Sequence, residues 1–115
     1  VINMKGSDQF KQKKTARVLI LERIEYFNRI YKLRFQKIAI RNQKTRWGSC
    51  SRKGNLSFNI KMLFLPQYLI DYIVVHELCH LTHMNHSKQF WQLVGIVIPD
   101  YVARKNELRK TGKLL

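Results

Sequence analysis

The sequence is short of acidic residues. Only seven of its 115 residues are Asp or Glu, against 22 Lys and Arg, so the formal net charge is +15. No acid occurs between Glu25 and Asp71, a segment that carries ten basic residues. A positive block of this kind attracts phosphates, acidic peptides and anionic surfaces. We therefore expect an anionic partner, such as a nucleic acid or a nucleotide, as one alternative to a basic face with no particular partner.

Cysteines and long apolar runs are scarce as well. Two cysteines, Cys50 and Cys79, are too few for a disulfide scaffold and favour a reducing compartment. No apolar run approaches the ~18 residues that span a bilayer, and the lysine-rich start lacks the apolar segment of a secretory signal. We expect a cytoplasmic protein that does not associate with membranes. Because the chain begins with Val1 rather than methionine, we also expect either the C-terminal part of a longer protein or a trimmed chain.

The length and the apolar pattern suit one domain. Residues 1–9 have no periodicity and are predicted to form a flexible end, followed by a single domain over 10–115. An apolar stripe from Ile20 to Tyr31, spaced by four, three and four residues, predicts a first helix over residues 10–33. Alternating apolar residues in 35–42 and in 56–61 predict two strands, which we expect to form an antiparallel hairpin across the Gly- and Ser-rich loop KTRWGSCSRKGN.

Three helices are predicted to follow the hairpin. The segment from Tyr68 to Leu81 is apolar nearly all round, as expected of a central, buried helix. Ser87 and Asp100 are predicted to begin two further helices as their N-caps. The order of helix, hairpin and three helices predicts an α+β domain.

All four histidines lie in one segment, VVHELCHLTHMNHSKQFW, residues 74–91. Its HELCH matches the pattern H-E-x-x-H. On a helix, His76 and His80 share one face and can reach the same ion. Glu77 lies about 100° further round, beside the ion, where it can take a proton from a metal-activated water. Three ionisable groups in so apolar a helix need a partner, and a metal ion supplies one.

A catalytic zinc usually has three protein ligands, so one more must come from outside the motif. His83 would lie about 10.5 Å from His76 along a straight helix, too far for nitrogens that bind one ion at about 2.1 Å. His86 suits better, because the two residues before it can turn the chain back towards the metal. His83 and a downstream acid, Asp100 or Glu107, stay open as alternatives.

Two stretches, KTRWGSCSRKGNLSFN and LPQYLIDYIVVHELCHLTHMNHSKQFW, resemble the YgjP-like metallopeptidase domain, a family of predicted zinc-dependent hydrolases related to SprT-like and WLM-type proteases. RWGSC, HELxH and NHSxxFW occur in the order and spacing of that family. The resemblance implies a small zincin-like fold and one Zn²⁺ ion held by His76, His80 and His86, with Glu77 as the catalytic base. The same histidines have the 1-5-11 spacing of the metzincin motif, with His83 at its glycine position, but nothing beyond the spacing matches. Another divalent metal stays an alternative.

Residues around the metal carry further predictions. Arg46 is a candidate to stabilise a developing oxyanion or to hold an anionic group. Phe90 and Trp91 are predicted to be hydrophobic anchors that hold His86 in place. The strand over residues 56–60 is a candidate to bind an extended peptide by edge pairing, and the alternative is an ordinary hairpin core.

We therefore expect a zinc-dependent hydrolase, and first of all a metallopeptidase whose substrate is a peptide or protein. Glu77 would act as general base towards the metal-activated water. One alternative is a metal-dependent hydrolase of nucleotides or polyphosphates, because the chain is so basic. A second is a non-enzymatic, basic nucleic-acid-binding module with a metal site. Glu77 argues against the second, because a purely structural zinc site needs no general base.

Overall fold

The computed structural model describes residues 6–111, which form four α-helices and a three-stranded sheet. The helices are α1 (Gly6–Tyr31), α2 (Gln67–His80), α3 (Lys88–Gly95) and α4 (Tyr101–Thr111). The strands are β1 (Lys37–Arg41), β2 (Gly48–Cys50) and β3 (Asn55–Asn59), and a 3-10 helix over Ile60–Phe64 follows β3. The predicted α+β class is confirmed.

Helix α1 begins earlier than the sequence pattern indicated. Residues 6–9 belong to this helix, and residues 1–5 lie outside the described part of the chain. The flexibility predicted for residues 1–9 stays a prediction. The predicted apolar stripe is buried along this helix at Ile20, Ile24 and Phe27. That α1 and the later elements form a single domain over 10–115 stays a prediction.

The sheet has the order β1-β3-β2, with β1 parallel and β2 antiparallel to β3. The predicted antiparallel pairing of residues 35–42 with 56–61 is therefore wrong. Strand β2 lies between β1 and β3 in the chain and pairs antiparallel with β3. Strand β1 pairs with the other edge of β3, in the parallel direction. The hairpin that does form joins β2 to β3, and its turn places Gly54 at φ 86°, a left-handed conformation that glycine adopts without strain.

Strand β3 is the central strand of the sheet. Both of its edges are paired, so the prediction that residues 56–60 bind a peptide by edge pairing is wrong. The structure supports the alternative for this strand, since Leu56 and Phe58 are buried in the core. Within residues 6–111, no strand pairs with the outer edge of β2, the last strand in the order β1-β3-β2.

Helix α2 is the buried centre of the fold, as its apolar sequence predicts. Eleven of its 14 residues are buried. Asp71 is one of them, and its carboxylate accepts two hydrogen bonds from Arg23 of α1, at 2.7 and 3.0 Å. This ion pair fixes α1 against α2. None of the described helices is long and apolar enough to cross a bilayer, and the cytoplasmic location stays a prediction.

Candidate metal centre

Three histidines meet at the C-terminal end of α2. His76 and His80 lie one helical turn apart on α2, and His86 comes from the segment that leads into α3. The three Nε2 atoms form a nearly equilateral triangle with sides of 3.1, 3.0 and 3.1 Å. Within residues 6–111 this is the only group of three or more potential ligand residues whose donor atoms lie close enough to hold one ion. The structure thus brings together the three residues predicted as ligands.

His83 does not bring its imidazole into this cluster, but its backbone takes part. Helix α2 ends at His80, and the His83 N–H donates to the carbonyl of Cys79 at 3.0 Å as the chain turns. The His83 carbonyl oxygen lies 2.9 Å from Nδ1 of His80. Because a carbonyl can only accept, His80 carries its proton on Nδ1 and keeps the lone pair of Nε2 for the cluster.

Ser87 explains how the returning segment is held. It is the N-cap of α3, and its Oγ accepts a hydrogen bond from the N–H of Phe90 at 3.2 Å. The fully buried Phe90 ring packs against all three imidazoles. The distances from its ring centroid are 5.0 Å to His76, 4.5 Å to His80 and 5.1 Å to His86.

Trp91 contacts the cluster from the next position of α3. Its ring stacks on His86 with a centroid distance of 5.7 Å, and it also stacks on Tyr101 at 5.0 Å. Both residues predicted as anchors therefore contact the histidines. Because α3 also packs on the core through buried Phe90 and Val94, the position of His86 is linked to that of the core.

The donor set fits a divalent ion such as zinc. In a tetrahedral site with bonds of about 2.1 Å, ligand nitrogens lie about 3.4 Å apart, close to the 3.0–3.1 Å of this triangle. Burial, aided by the charge of neighbouring histidines and of Lys105, lowers the pKa of His76 to about 3 and also lowers the pKa of His86. Both rings are therefore neutral near pH 7, the form that binds metal.

Glu77 lies beside the triangle and is buried, with 6% of its surface exposed. Burial raises the pKa of its carboxyl to about 8, and the positive charge of Arg46 opposes that rise. A divalent ion at the histidines would act in the same direction as Arg46, since it favours the carboxylate. The structure thus places the predicted base next to the predicted oxyanion residue.

Gly48 has a role that the sequence pattern did not reveal. A Cβ atom at this position would lie 3.1 Å from Cγ and 3.2 Å from Oε2 of Glu77. The glycine of RWGSC therefore lets the Glu77 side chain pack directly against β2. An isolated glycine inside a strand often marks a close approach of another group, but the sequence pattern predicted a loop here, so this signal could not be read.

Some backbone N–H and C=O groups of strand β2 point away from its partner strand β3. The Trp47 carbonyl accepts from Asn59 at 2.8 Å, and Ser51 bonds to β3 at the other end of the strand. Because antiparallel residues alternate, the N–H and C=O groups of Gly48 and Cys50 point to the free edge. Unpaired backbone groups at an edge can accept an additional extended chain.

Two pockets flank Glu77. One, of about 360 Å³, lies towards α4 and includes Lys105 and Arg109 in its lining. The other, of about 470 Å³, lies towards Met84 and His86. Both are lined by Arg46, Gly48, His76 and Glu77. A cleft therefore passes the three histidines with β2 on one wall. The two basic residues of α4 were not predicted, because nothing in the local sequence links them to the histidine segment.

The profile of the YgjP-like metallopeptidase domain matches residues 7–111. The chain belongs to the YgjP-like family. Two solved structures are similar in fold to this YgjP-like chain. The metallopeptidase zymogen abylysin of Pyrococcus abyssi has a TM-score of 0.72 at 24% identity, over 80% of this chain and 93% of that chain. The metallopeptidase zymogen jannalysin of Methanocaldococcus jannaschii has a TM-score of 0.67 at 22% identity, over 84% and 97%. A comparison with curated protein sequences gave no match. The predicted family and its small α+β metallopeptidase fold are confirmed.

Proposed function

We propose that this YgjP-like protein is a zinc-dependent peptidase. The observation that carries the proposal is the triangle of three Nε2 atoms beside the buried carboxyl of Glu77. Three imidazoles suit a catalytic zinc, which keeps one coordination position open. Membership of a metallopeptidase family supports the peptidase reading over other hydrolases.

The residues of the chain have distinct tasks in this mechanism. A divalent ion held by the three histidines would lower the pKa of water and polarise the substrate carbonyl. Glu77 accepts the proton of the attacking water and returns it to the leaving amine. Arg46 stabilises the negative charge that develops on the carbonyl oxygen. Two groups orient the histidines. The Oη of Tyr72 lies 3.4 Å from Nδ1 of His76, and the carbonyl of His83 contacts Nδ1 of His80.

The substrate would lie along β2. An extended peptide can pair with the free N–H and C=O groups of Gly48 and Cys50, a mode of binding that needs no particular substrate side chain. Gly48 lies against Glu77, so a peptide on this edge would pass the base and the histidines. This position replaces the one predicted on residues 56–60.

A Glu77→Gln variant tests the mechanism. The amide keeps the size of the side chain but cannot accept the proton, so we expect a loss of peptide hydrolysis of roughly 10²–10⁴-fold with unchanged zinc content. The matched control is Glu25→Gln, which makes the same charge change at an exposed position of α1. Retained hydrolysis in Glu77→Gln would refute the assignment of the base.

A second candidate substrate class is nucleotides or polyphosphates. It is favoured by the basic residues Arg46, Lys105 and Arg109 in the pocket beside Glu77. Nucleoside triphosphates and casein-like peptides should be compared with the same Glu77→Gln control. Turnover of triphosphates alone would select this candidate over the peptidase.

Nucleic-acid binding by the basic chain is a separate proposal, and it rests on the net charge of +15. It predicts a salt-sensitive shift of DNA in a gel that persists after the metal is removed. A shift that does not respond to salt, or that is absent, would exclude it.

A further inference from the structure

Three basic side chains gather in the pocket between β2 and α4. They are Arg46, Lys105 and Arg109. The ion pairs within residues 6–111 are Arg23–Asp71 and Arg104–Asp100, so none of these three basic residues takes part in one. Glu77 is the only acidic residue in the lining of the pocket. The pocket therefore has an excess of positive charge even before a metal ion is added.

Lys105 lies close to the histidines. Its Nζ is 4.8 Å from the ring centroid of Trp91, and the Trp91 centroid is 5.8 Å from that of His76 and 5.7 Å from that of His86. One aromatic ring therefore separates the ammonium group from two candidate metal ligands.

Apart from these charged residues and His76, the lining is mainly apolar or aromatic. Tyr72, Ile73 and Leu108 are buried core residues that contribute to the pocket wall. With about 360 Å³ the pocket is wide enough for one side chain of a substrate. A group that suits both parts of the lining has a short apolar stem and a terminal negative charge. Arginine is well suited to such a charge, because its guanidinium binds a carboxylate through two hydrogen bonds.

We propose that this pocket is an anion subsite that selects a carboxylate-bearing residue next to the scissile bond. The carboxylate is either the side chain of Glu or Asp or the free C-terminus of the peptide, and Lys105 and Arg109 bind it. The proposal rests on the proposed peptidase function. It favours a carboxylate on an apolar stem over a polyphosphate, which would leave the apolar wall without a partner.

Matched peptides test the subsite in the zinc-loaded protein. Two series differ only in Glu or Gln at the positions on either side of the cleaved bond, and each has a free or an amidated C-terminus. We expect kcat/KM to be roughly 10-fold higher for the Glu peptides at low salt, and the ratio to fall in 1 M salt because exposed charges are then screened. A preference that follows the free C-terminus alone would assign the subsite to the chain end.

Variants of α4 connect the preference to the pocket. Lys105→Gln and Arg109→Gln should each reduce the ratio of kcat/KM for the Glu and Gln peptides towards one. Lys110→Gln is the matched control, because it removes the same charge from an exposed neighbouring position of α4 that does not line the pocket. If kcat/KM is the same for the Glu and Gln peptides and also for free and amidated C-termini, with hydrolysis still dependent on Glu77, the subsite is overturned and the peptidase stands.

Binding provides a measurement that does not need turnover. Fluorescently labelled Glu and Gln peptides are titrated into the zinc-loaded Glu77→Gln variant, and again into the same variant with Lys105→Gln. The subsite is supported by a lower Kd for the Glu peptide, or for a free over an amidated C-terminus, that disappears with Lys105→Gln. Kd values that depend on neither carboxylate refute it. If no peptide is hydrolysed by the unmodified protein and the binding preference is still present, the peptidase proposal fails while the anion subsite remains.

Discussion

Replacing His86 and His83 one at a time tests their different expected roles. We expect His86 to bind the metal through its side chain and His83 to act through its backbone carbonyl. Nε2 of His86 lies 3.0–3.1 Å from Nε2 of His80 and His76, so His86→Ala removes one corner of the triangle. His83 contributes its carbonyl oxygen to Nδ1 of His80, and His83→Ala leaves that carbonyl in place. We therefore expect zinc affinity to fall sharply in the first variant and to change little in the second.

The size of the difference follows from the number of ligands. Structural zinc sites bind with about 10–16 kcal/mol through four protein ligands, which corresponds to about 2.5–4 kcal/mol for each ligand. Loss of one ligand should therefore weaken zinc binding by roughly 10²–10³-fold. The His83→Ala variant loses only a half-buried imidazole outside the cluster, for which we expect a change of less than about 3-fold.

Competition with a chromogenic chelator measures both affinities directly. Thermal unfolding with and without zinc provides a second readout, because a ligand at 1,000 times its Kd stabilises the folded state by about 4 kcal/mol. The zinc-dependent rise in melting temperature should persist in His83→Ala and largely disappear in His86→Ala. The opposite pattern would refute the ligand assignment, and equal losses in both variants would refute the separation of their roles.

Three further predictions follow from contacts around the centre. Gly48→Ala places a methyl group against Glu77. Because this displaces a catalytic group, kcat/KM for peptides should fall about 10-fold, with unchanged zinc affinity in the chelator assay. A reduced zinc affinity would contradict this explanation. Arg23→Ala leaves the carboxylate of Asp71 buried without its partner. The free energy of unfolding, measured in urea, should fall by about 2–4 kcal/mol. A fall below about 0.5 kcal/mol is typical of an exposed pair and would show that this pair is solvated. Phe90→Leu removes the ring that contacts all three histidines. Zinc binding should weaken about 10-fold. An unchanged affinity in the chelator assay would show that the ring does not support the ligands.

The helical parts of the fold could be predicted because their residues repeat a pattern over several turns. The stripe from Ile20 to Phe27 is buried as expected, and the all-apolar segment around Val74 is the central helix. Ser87 was identified from its residue type alone, because a serine before a helix offers an oxygen to the free N–H groups of the first turn. In each case the signal is local and depends on no distant partner.

The topology of the sheet could not be predicted in the same way. Strand β2 consists of Gly48, Ser49 and Cys50, which is too short for alternation to be visible and has the composition of a turn. Without β2, the two strands that can be recognised on either side of the loop pair most simply as a hairpin. The parallel pairing of β1 with β3 requires a third strand between them in the chain, and only the structure shows it.

The cleft was missed for a related reason. Arg46 and Glu77 were both identified in the sequence, but Lys105 and Arg109 are more than twenty residues beyond the histidine pair of α2 and belong to a helix with no recognisable motif. Their position depends on how α4 packs, which local patterns do not encode. The net charge predicted an anionic partner without saying where it would bind, and the structure provides one pocket in which such a partner can be sought.

The spacing of the three histidines can be shared with the metzincin motif without a shared turn. That motif has a glycine where this chain has His83, and glycine is required in a turn only where φ is positive. Within residues 6–111, Lys32 is the only non-glycine residue with positive φ, so His83 adopts an ordinary backbone conformation. The turn after α2 is instead held by the N–H of His83 bonding to Cys79 and by its carbonyl accepting from His80. Six residues are enough to bring His86 back to His76 and His80 by either route, so the 1-5-11 spacing reflects the geometry of this return and not a common turn.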